Sequence, residues 1–415
     1  MTTIVTGRRR DGAGRTPGIL GVVAVALTLG LAAWLAACGG TSPTPTATVT
    51  VTQSASSSAS STVASPSAAP AAKPRLVVAV ASGAKANGVS VVNGNGVVKQ
   101  LVAPSGGPVR DLAWSPDGTR LAFLRAVSES DSTSSLFVYD TRTAAVTQVP
   151  VAVSPATIDS YAWVSATRLV AAYFPAGAKT YRTNGKLWLR DVGKGIGWPA
   201  KDATGHLVKG ASVSASADGA RVAYVSHGAL AGGTIPEKLN VWDPGTLAVS
   251  TVATGQAPGE IDGDQFTWPA ISPDGSMIAT EQTGSDIGFG LTVYGLNGAV
   301  RLKKGGMIWP TRPAWTGQGE RLAFGGASGV SGGQHDSLNT WTPGASATAA
   351  VVTGLARPVT GVAWTPKASQ IAYAVGDTTG LQSVLWIAGA DGSNPHVLIA
   401  HGSSPAWTLA PIAFP

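Results

Sequence analysis

The chain is 415 residues long, with 12% charged residues, 53 glycines and 27 prolines, a mixture that suits short strands joined by many turns. That length is large for one ordinary domain but within reach of a single repeat array. The formal charge of +7 does not mark a nucleic-acid binder: Arg8, Arg9, Arg10 and Arg15 against Asp11 place part of it on the amino-terminal segment, and no run of Lys and Arg interleaved with aromatics follows.

Residues 18 to 37, GILGVVAVALTLGLAAWLAA, are uncharged and apolar over a length that could span a membrane. The stretch ends in Leu35-Ala36-Ala37-Cys38-Gly39, which resembles the lipobox of bacterial lipoproteins. There, small residues admit a signal peptidase and the cysteine thiol carries diacylglycerol. Cys38 is the only cysteine of the chain. The alternative is an uncleaved span with an incidental cysteine; in both cases the basic flank stays in the cytoplasm and everything after Cys38 lies outside. Residues 39 to 74 contain no aromatic residue and one charge, Lys73, so they cannot bury enough apolar surface to offset their ordering entropy. They are expected to form a disordered Ser/Thr/Pro/Ala-rich tether with a mean reach of roughly 30–35 Å. The expected organisation is a signal peptide over 1–37, lipidated Cys38 with its tether over 38–74, and a folded domain over 75–415.

Within 75–415 one hairpin is written repeatedly: AWSPDGTRLAF (113–123), SASADGARVAY (214–224), AISPDGSMIAT (270–280), AWTGQGERLAF (314–324) and AWTPKASQIAY (363–373). Proline presets φ for a type I turn, and glycine takes the left-handed conformation that closes a bulged hairpin. The position before the turn recurs at Trp114, Trp163, Ala215, Ile271, Trp315, Trp364 and Trp407, at intervals of 49, 52, 56, 44, 49 and 43 residues. A second hairpin follows in each interval, as in LFVYDTRTAAVTQV and LNVWDPGTLAVSTV, making four strands per unit. RLVVAVA and VSVVNGNGVVKQLV supply three strands at the amino end, and SSPAWTLAPIAF supplies the missing innermost strand from the carboxyl end. The expected fold is all-β: a seven-bladed β-propeller of four-stranded antiparallel blades, closed by pairing of the terminal strands, with six blades as the alternative.

These AWSPDGxxLAF units resemble those of TolB-like and WD-repeat-like β-propeller lipoproteins of the bacterial envelope. The resemblance implies a lipid-anchored, extracytoplasmic propeller, monomeric and without a cofactor, that binds or scaffolds an envelope protein or a cell-wall polymer. Tol-system propellers carry an additional amino-terminal domain, and here the tether stands in its place. The alternative class is a propeller enzyme of lactonase, glycosidase or quinoprotein type, with acids, a metal or a cofactor at the channel mouth. The first strands read DLAW, YAW, VSA, PAI, PAW, VAW and PAW, nearly all apolar, which disfavours chemistry in the channel.

The turns of one face are short and uniform, whereas the second-to-third-strand loops and the blade-to-blade loops are long and dissimilar. Variable loops on a rigid scaffold are where binding resides. The candidates on that face are Tyr181, Arg182, Trp198, Lys209, His227, Glu260, Asp262, Asp264, His335 and Asp336, each weighed against being an ordinary solvated loop residue. Gly329-Val330-Ser331-Gly332-Gly333 fits GxSxG without a following helix, and Gly193-Lys194-Gly195-Ile196-Gly197 lacks the context of a phosphate loop. His206, His227, His335, His396 and His401 form no metal-ligand spacing, so no metal site is expected. EIDGDQ (260–265) gathers three carboxylates, either a solvated acidic turn or a calcium loop without the full spacing. Most tryptophans, including Trp188, Trp242, Trp341 and Trp386, are expected to pack between blades, with Trp198, Trp268 and Trp309 left open.

Overall fold

A computed structural model of the chain describes residues 75–83, 85–127, 133–151, 156–175, 185–228, 236–255, 265–284, 288–307, 311–326, 337–376, 383–410, 412 and 414. The signal segment, Cys38 and the tether lie outside the described residues, as do Tyr181, Arg182, Glu260, Asp262, Asp264, His335, Asp336, Trp309 and the GxSxG stretch. The described residues contain strands and turns and no helix.

The strands form seven four-stranded antiparallel sheets. Blade 1 is composite: Ser403–Ala410 lies innermost, followed outward by Arg75–Ser82, Gly88–Asn93 and Val98–Val102. Blades 2 to 7 follow in chain order, with innermost strands Val109–Trp114, Ala156–Trp163, Ala211–Ala215, Gln265–Ile271, Ala314–Trp315 and Val359–Trp364. Each innermost strand touches its counterpart in the next blade, and the last touches Ser403–Ala410, so the seven strands ring a central channel. The chain closes on itself through Val77↔Thr408, Val78↔Trp407 and Ala79↔Ala406, which gives seven blades and not six.

Closure is required by where the apolar residues fall. Seven hydrophobic clusters occupy the seven junctions between neighbouring blades, and the last joins Val78, Val80 and Val92 of blade 1 to Ala372 and Leu385 of blade 7. A blade therefore buries both faces only when it has two neighbours. Each fully buried Leu or Phe at these junctions, such as Leu121, Phe123 or Phe324, contributes about 1.5–3 kcal/mol relative to exposure.

The repeated letters explain themselves in hydrogen bonds. Ser115, Ser216 and Ser272 each donate a hydroxyl to the aspartate two residues on at 2.6 Å. Each hydroxyl oxygen also accepts the backbone N–H of Arg120, Arg221 or Met277 at 3.0 Å. In the degraded copies, Thr316 and Thr365 accept Arg321 N–H and Gln370 N–H at 3.1 Å. The turn glycine has positive φ at Gly118, Gly219, Gly275 and Gly319, and Ala368 adopts φ 54° where the glycine is missing.

The Ala-Trp pair preceding the turn joins one blade to another. The indole N–H of Trp114 donates to Ala406 O (3.0 Å), that of Trp163 to Ala113 O (3.0 Å), that of Trp315 to Ala270 O (2.8 Å) and that of Trp364 to Ala314 O (3.0 Å). In every case the acceptor is the residue just before the same repeat position in the preceding blade. The tryptophans thus pack between blades, as expected, and also ladder around the channel. Trp407 is the exception, with a buried indole nitrogen that has no partner among the described residues.

Candidate functional site at the channel mouth

The innermost strands do not keep their pleat. Register breaks fall between Arg110 and Ala113, Ile158 and Ser160, Ala211 and Ser214, Thr267 and Ala270, and Val359 and Gly361. The residues displaced there include Asp111 (φ 55°), Ser212 (φ 54°) and Trp268 (φ 44°), and Ser404 (φ 50°) occupies the matching place in blade 1. A bulge bends its strand and re-aims the extra side chain, and left-handed backbone is uncommon for residues other than glycine. Because these positions lie towards the start of each strand, near the blade-to-blade connection, they ring the channel on the face that carries the long loops.

The first strands read as nearly all apolar, a reading that leaves the rim open, and charged side chains stand at this mouth. Period-2 alternation hides Asp111, whose bulge turns it toward the channel, and Arg312 joins it from blade 6. Arg110 Nη1 donates to Asp111 Oδ2 at 2.7 Å, and Arg312 Nη1 stands 3.4 Å from Asp111 Oδ1. Blades 2 and 6 are not neighbours, so this second ion pair crosses the channel. Burial alone would raise the Asp111 pKa, but the charges of Arg312 and Arg110 hold its carboxyl below the usual carboxylate range. Asp111 is therefore an anion with two cations, and both arginine side chains stay about two-fifths exposed, at 42% for Arg110 and 39% for Arg312.

The surrounding backbone is anchored. The Tyr161 hydroxyl lies within hydrogen-bond reach of Asp111 O and of Ala122 O, the latter at 2.7 Å. Arg110 Nη2 donates to Ser134 Oγ at 3.1 Å. Arg312 is flanked by buried Thr311 and Pro313. Thr311 N–H donates to Glu281 Oε1 at 2.5 Å, and its hydroxyl donates to Val359 O of blade 7. Glu281 is buried, its Oε2 has no hydrogen-bond partner among the described residues, and burial pushes its pKa well above the ordinary value despite Thr311 N–H and Arg312. Between blades 3 and 4, Asp159 Oδ2 accepts Ser212 N–H at 2.8 Å and Ser160 Oγ accepts Val213 N–H at 2.9 Å. The mouth is a set of polar side chains on fixed backbone, the arrangement that gives a binding site its precision.

Of the candidates read from sequence, three are described, and the fold does not bring them together. Trp198 lies in the outermost strand of blade 3, Ile196–Pro199, with the Arg168 guanidinium 5.9 Å from its ring. Lys209 is exposed on the connection from blade 3 to blade 4. The His227 side chain is buried: its Nε2 is 2.9 Å from Glu237 Oε1, while Glu237 Oε2 accepts Phe266 N–H at 2.8 Å, so the pair ties blade 4 to blade 5. In the GKGIG stretch, Gly193 and Lys194 donate their N–H groups to Asp191 Oδ1 at 3.1 and 3.0 Å, which leaves neither amide to cradle phosphate. Among the described residues no group of three or more His, Cys, Asp or Glu is placed to hold a metal ion. Sequence reasoning passed over Arg110, Asp111 and Arg312; the signal was a charged residue three places before the repeat tryptophan at both Asp111 and Arg312.

No family model matches the chain, and no curated protein resembles it in sequence. Among solved structures it is similar to TolB from Acinetobacter baumannii, at 14% identity and TM-score 0.45, over 80% of this chain and 66% of that one. The chain thus spans just under two thirds of that TolB chain. It is also similar to a chain of a mitotic checkpoint complex, at 15% identity and TM-score 0.46, over 69% of this chain and 75% of that one. A third similarity is to a prolyl endopeptidase, at 12% identity and TM-score 0.49, over 70% of this chain and 42% of that one. At these identities the likeness concerns fold alone, and the blades, their junctions and their closure make the chain a seven-bladed β-propeller.

Proposed function

We propose that the chain is a lipid-anchored, extracytoplasmic propeller whose loop-bearing face binds an envelope protein or a cell-wall polymer. The observation that carries this reading is the channel mouth: charged side chains on anchored backbone, partly open to solvent, on the face with the long connections. The envelope setting is supported by Leu35-Ala36-Ala37-Cys38-Gly39 after an apolar stretch and by the tether beyond it, whose one charge is Lys73. A lipid on Cys38 would hold the domain at the membrane while the tether lets it reach its partner.

Cross-linking in intact cells followed by mass spectrometry tests the binding role. Recovery of a defined envelope neighbour, lost when the long loops are replaced by short turns, supports it. Recovery of none, together with turnover of a small substrate, overturns it in favour of an enzyme. Cys38→Ser is expected to release the protein from the membrane fraction; unchanged retention without lipid label on the wild type would refute lipid anchoring.

A further inference from the structure

We infer that the channel mouth is a binding site for an acidic saccharide, a segment of polymer bearing uronic-acid-type carboxylates, held by Arg110 and Arg312 and stacked on Trp268. This rests on the binding role proposed above and names the ligand class for it.

Charge comes first. Two guanidiniums converge on the single carboxylate of Asp111, so this trio keeps one excess positive charge, with Asp159 on the bulge of blade 3 held separately by Ser212 N–H. Arg110 makes the short contact of 2.7 Å, whereas Arg312 stands at 3.4 Å, beyond a good charge-assisted hydrogen bond. Arg312 therefore still has donors for a second carboxylate, and the planar fork suits a bidentate one. Asp111 holds the two cations in place before the ligand arrives, which lowers the ordering cost of binding. The anchoring of Thr311 by Glu281 and Val359 fixes the backbone from which Arg312 reaches.

The second observation is independent of charge. Trp114, Trp163, Trp315 and Trp364 have their indole N–H groups engaged between blades, and Trp242 and Trp341 are buried. Trp268 is 37% exposed and sits at φ 44°, on the channel ring in the blade next to that of Arg312. A bulky residue in left-handed backbone is a local strain that the fold tolerates at ligand clamps. An exposed indole is suited to cover the C–H face of a sugar ring, while Ser212 and Ser404 stand at the equivalent bulges. An acidic peptide would use the arginines but has no need of the stacking face, which is why the saccharide is favoured.

The test uses the full-length protein in detergent, titrated with tetragalacturonate, maltotetraose and tetraglutamate by calorimetry and tryptophan fluorescence. Tetragalacturonate is expected to bind at least tenfold more tightly than either comparison ligand. Arg312→Gln should weaken it tenfold or more, Arg312→Lys should recover part of the loss, and Trp268→Ala should weaken it and abolish the fluorescence change. If Arg312→Gln proves misfolded by its thermal melt, Arg110→Gln provides the same comparison. No saturable binding of tetragalacturonate overturns the inference, as does equal binding of maltotetraose. Equal or tighter binding of tetraglutamate, unaffected by Trp268→Ala, overturns it in favour of a peptide site. A neighbour captured in cells through the loop-bearing face, with no tetragalacturonate binding, would sink this inference while leaving the proposed binding role standing.

Discussion

Replacing Trp364 by phenylalanine removes one rung of the ladder that joins the blades, the indole N–H to Ala314 O at 3.0 Å. A neutral hydrogen bond of this kind contributes about 0.5–1.5 kcal/mol net. Loss of the second ring at a side chain only 6% exposed leaves a cavity of roughly 40 Å³, worth about 1 kcal/mol, so the expected total is about 2 kcal/mol. Trp407 occupies the same repeat position, but its buried indole nitrogen has no partner among the described residues. Trp407 is only partly buried, so Trp407→Phe loses no more packing and relieves an unsatisfied donor worth about 1–3 kcal/mol; it should be close to neutral. Urea unfolding followed by far-UV circular dichroism measures both, with calorimetry as a second probe at roughly 2–4 °C per kcal/mol. Equal losses at the two positions, or a larger loss for Trp407→Phe, would show that the ladder adds nothing beyond packing.

Three further outcomes can be checked on the same preparations. Gly219→Ala places a Cβ 1.9 Å from Val164 O at φ +70°, whereas Gly195→Ala has φ +70° and nothing within 4 Å; the first should cost more than about 3 kcal/mol and the second about 1 kcal/mol, and equal unfolding midpoints would refute the interblade contact. Glu281 has a folded pKa raised by burial, so the folded chain binds more protons than the unfolded one above about pH 4.5, and the stability it contributes is complete below that pH and lost as pH rises through the folded pKa. Glu281→Gln keeps an acceptor for Thr311 N–H and should flatten that decline, which denaturant titrations from pH 4 to 8 would read; identical slopes for both proteins would rule it out. Truncating the chain before Ser403 strips blade 1 of its innermost strand, Ser403–Ala410, and rapid proteolysis with a lowered melting temperature is expected; an unchanged melt would mean that the ring does not depend on closure.

Much of the architecture was legible because it is local. A Ser-x-Asp-Gly turn between two apolar runs encodes a hairpin without help from the rest of the chain, as the shared 2.6 Å hydroxyl–carboxylate contacts show. Counting such hairpins, and matching SSPAWTLAPIAF to the strand missing beside RLVVAVA, yielded seven blades and the seam between them. The channel mouth was not legible. Alternation along DLAW gives no sign that the strand bulges at Asp111, and Asp111 and Arg312 are far apart in sequence. His227 shows the reverse: a histidine that reads as a loop residue is drawn inward because Glu237 offers it a partner and the next blade offers Glu237 a backbone N–H.

Hairpin chemistry, the spacing of the units and the apolar faces that require two neighbours are all written in the chain, since each depends on residues near one another along it. Which side chains meet across the channel is settled in three dimensions alone. Ring closure sets the innermost strands around a common channel, bulges turn particular residues toward it, and electrostatics then pairs groups that no local pattern connects.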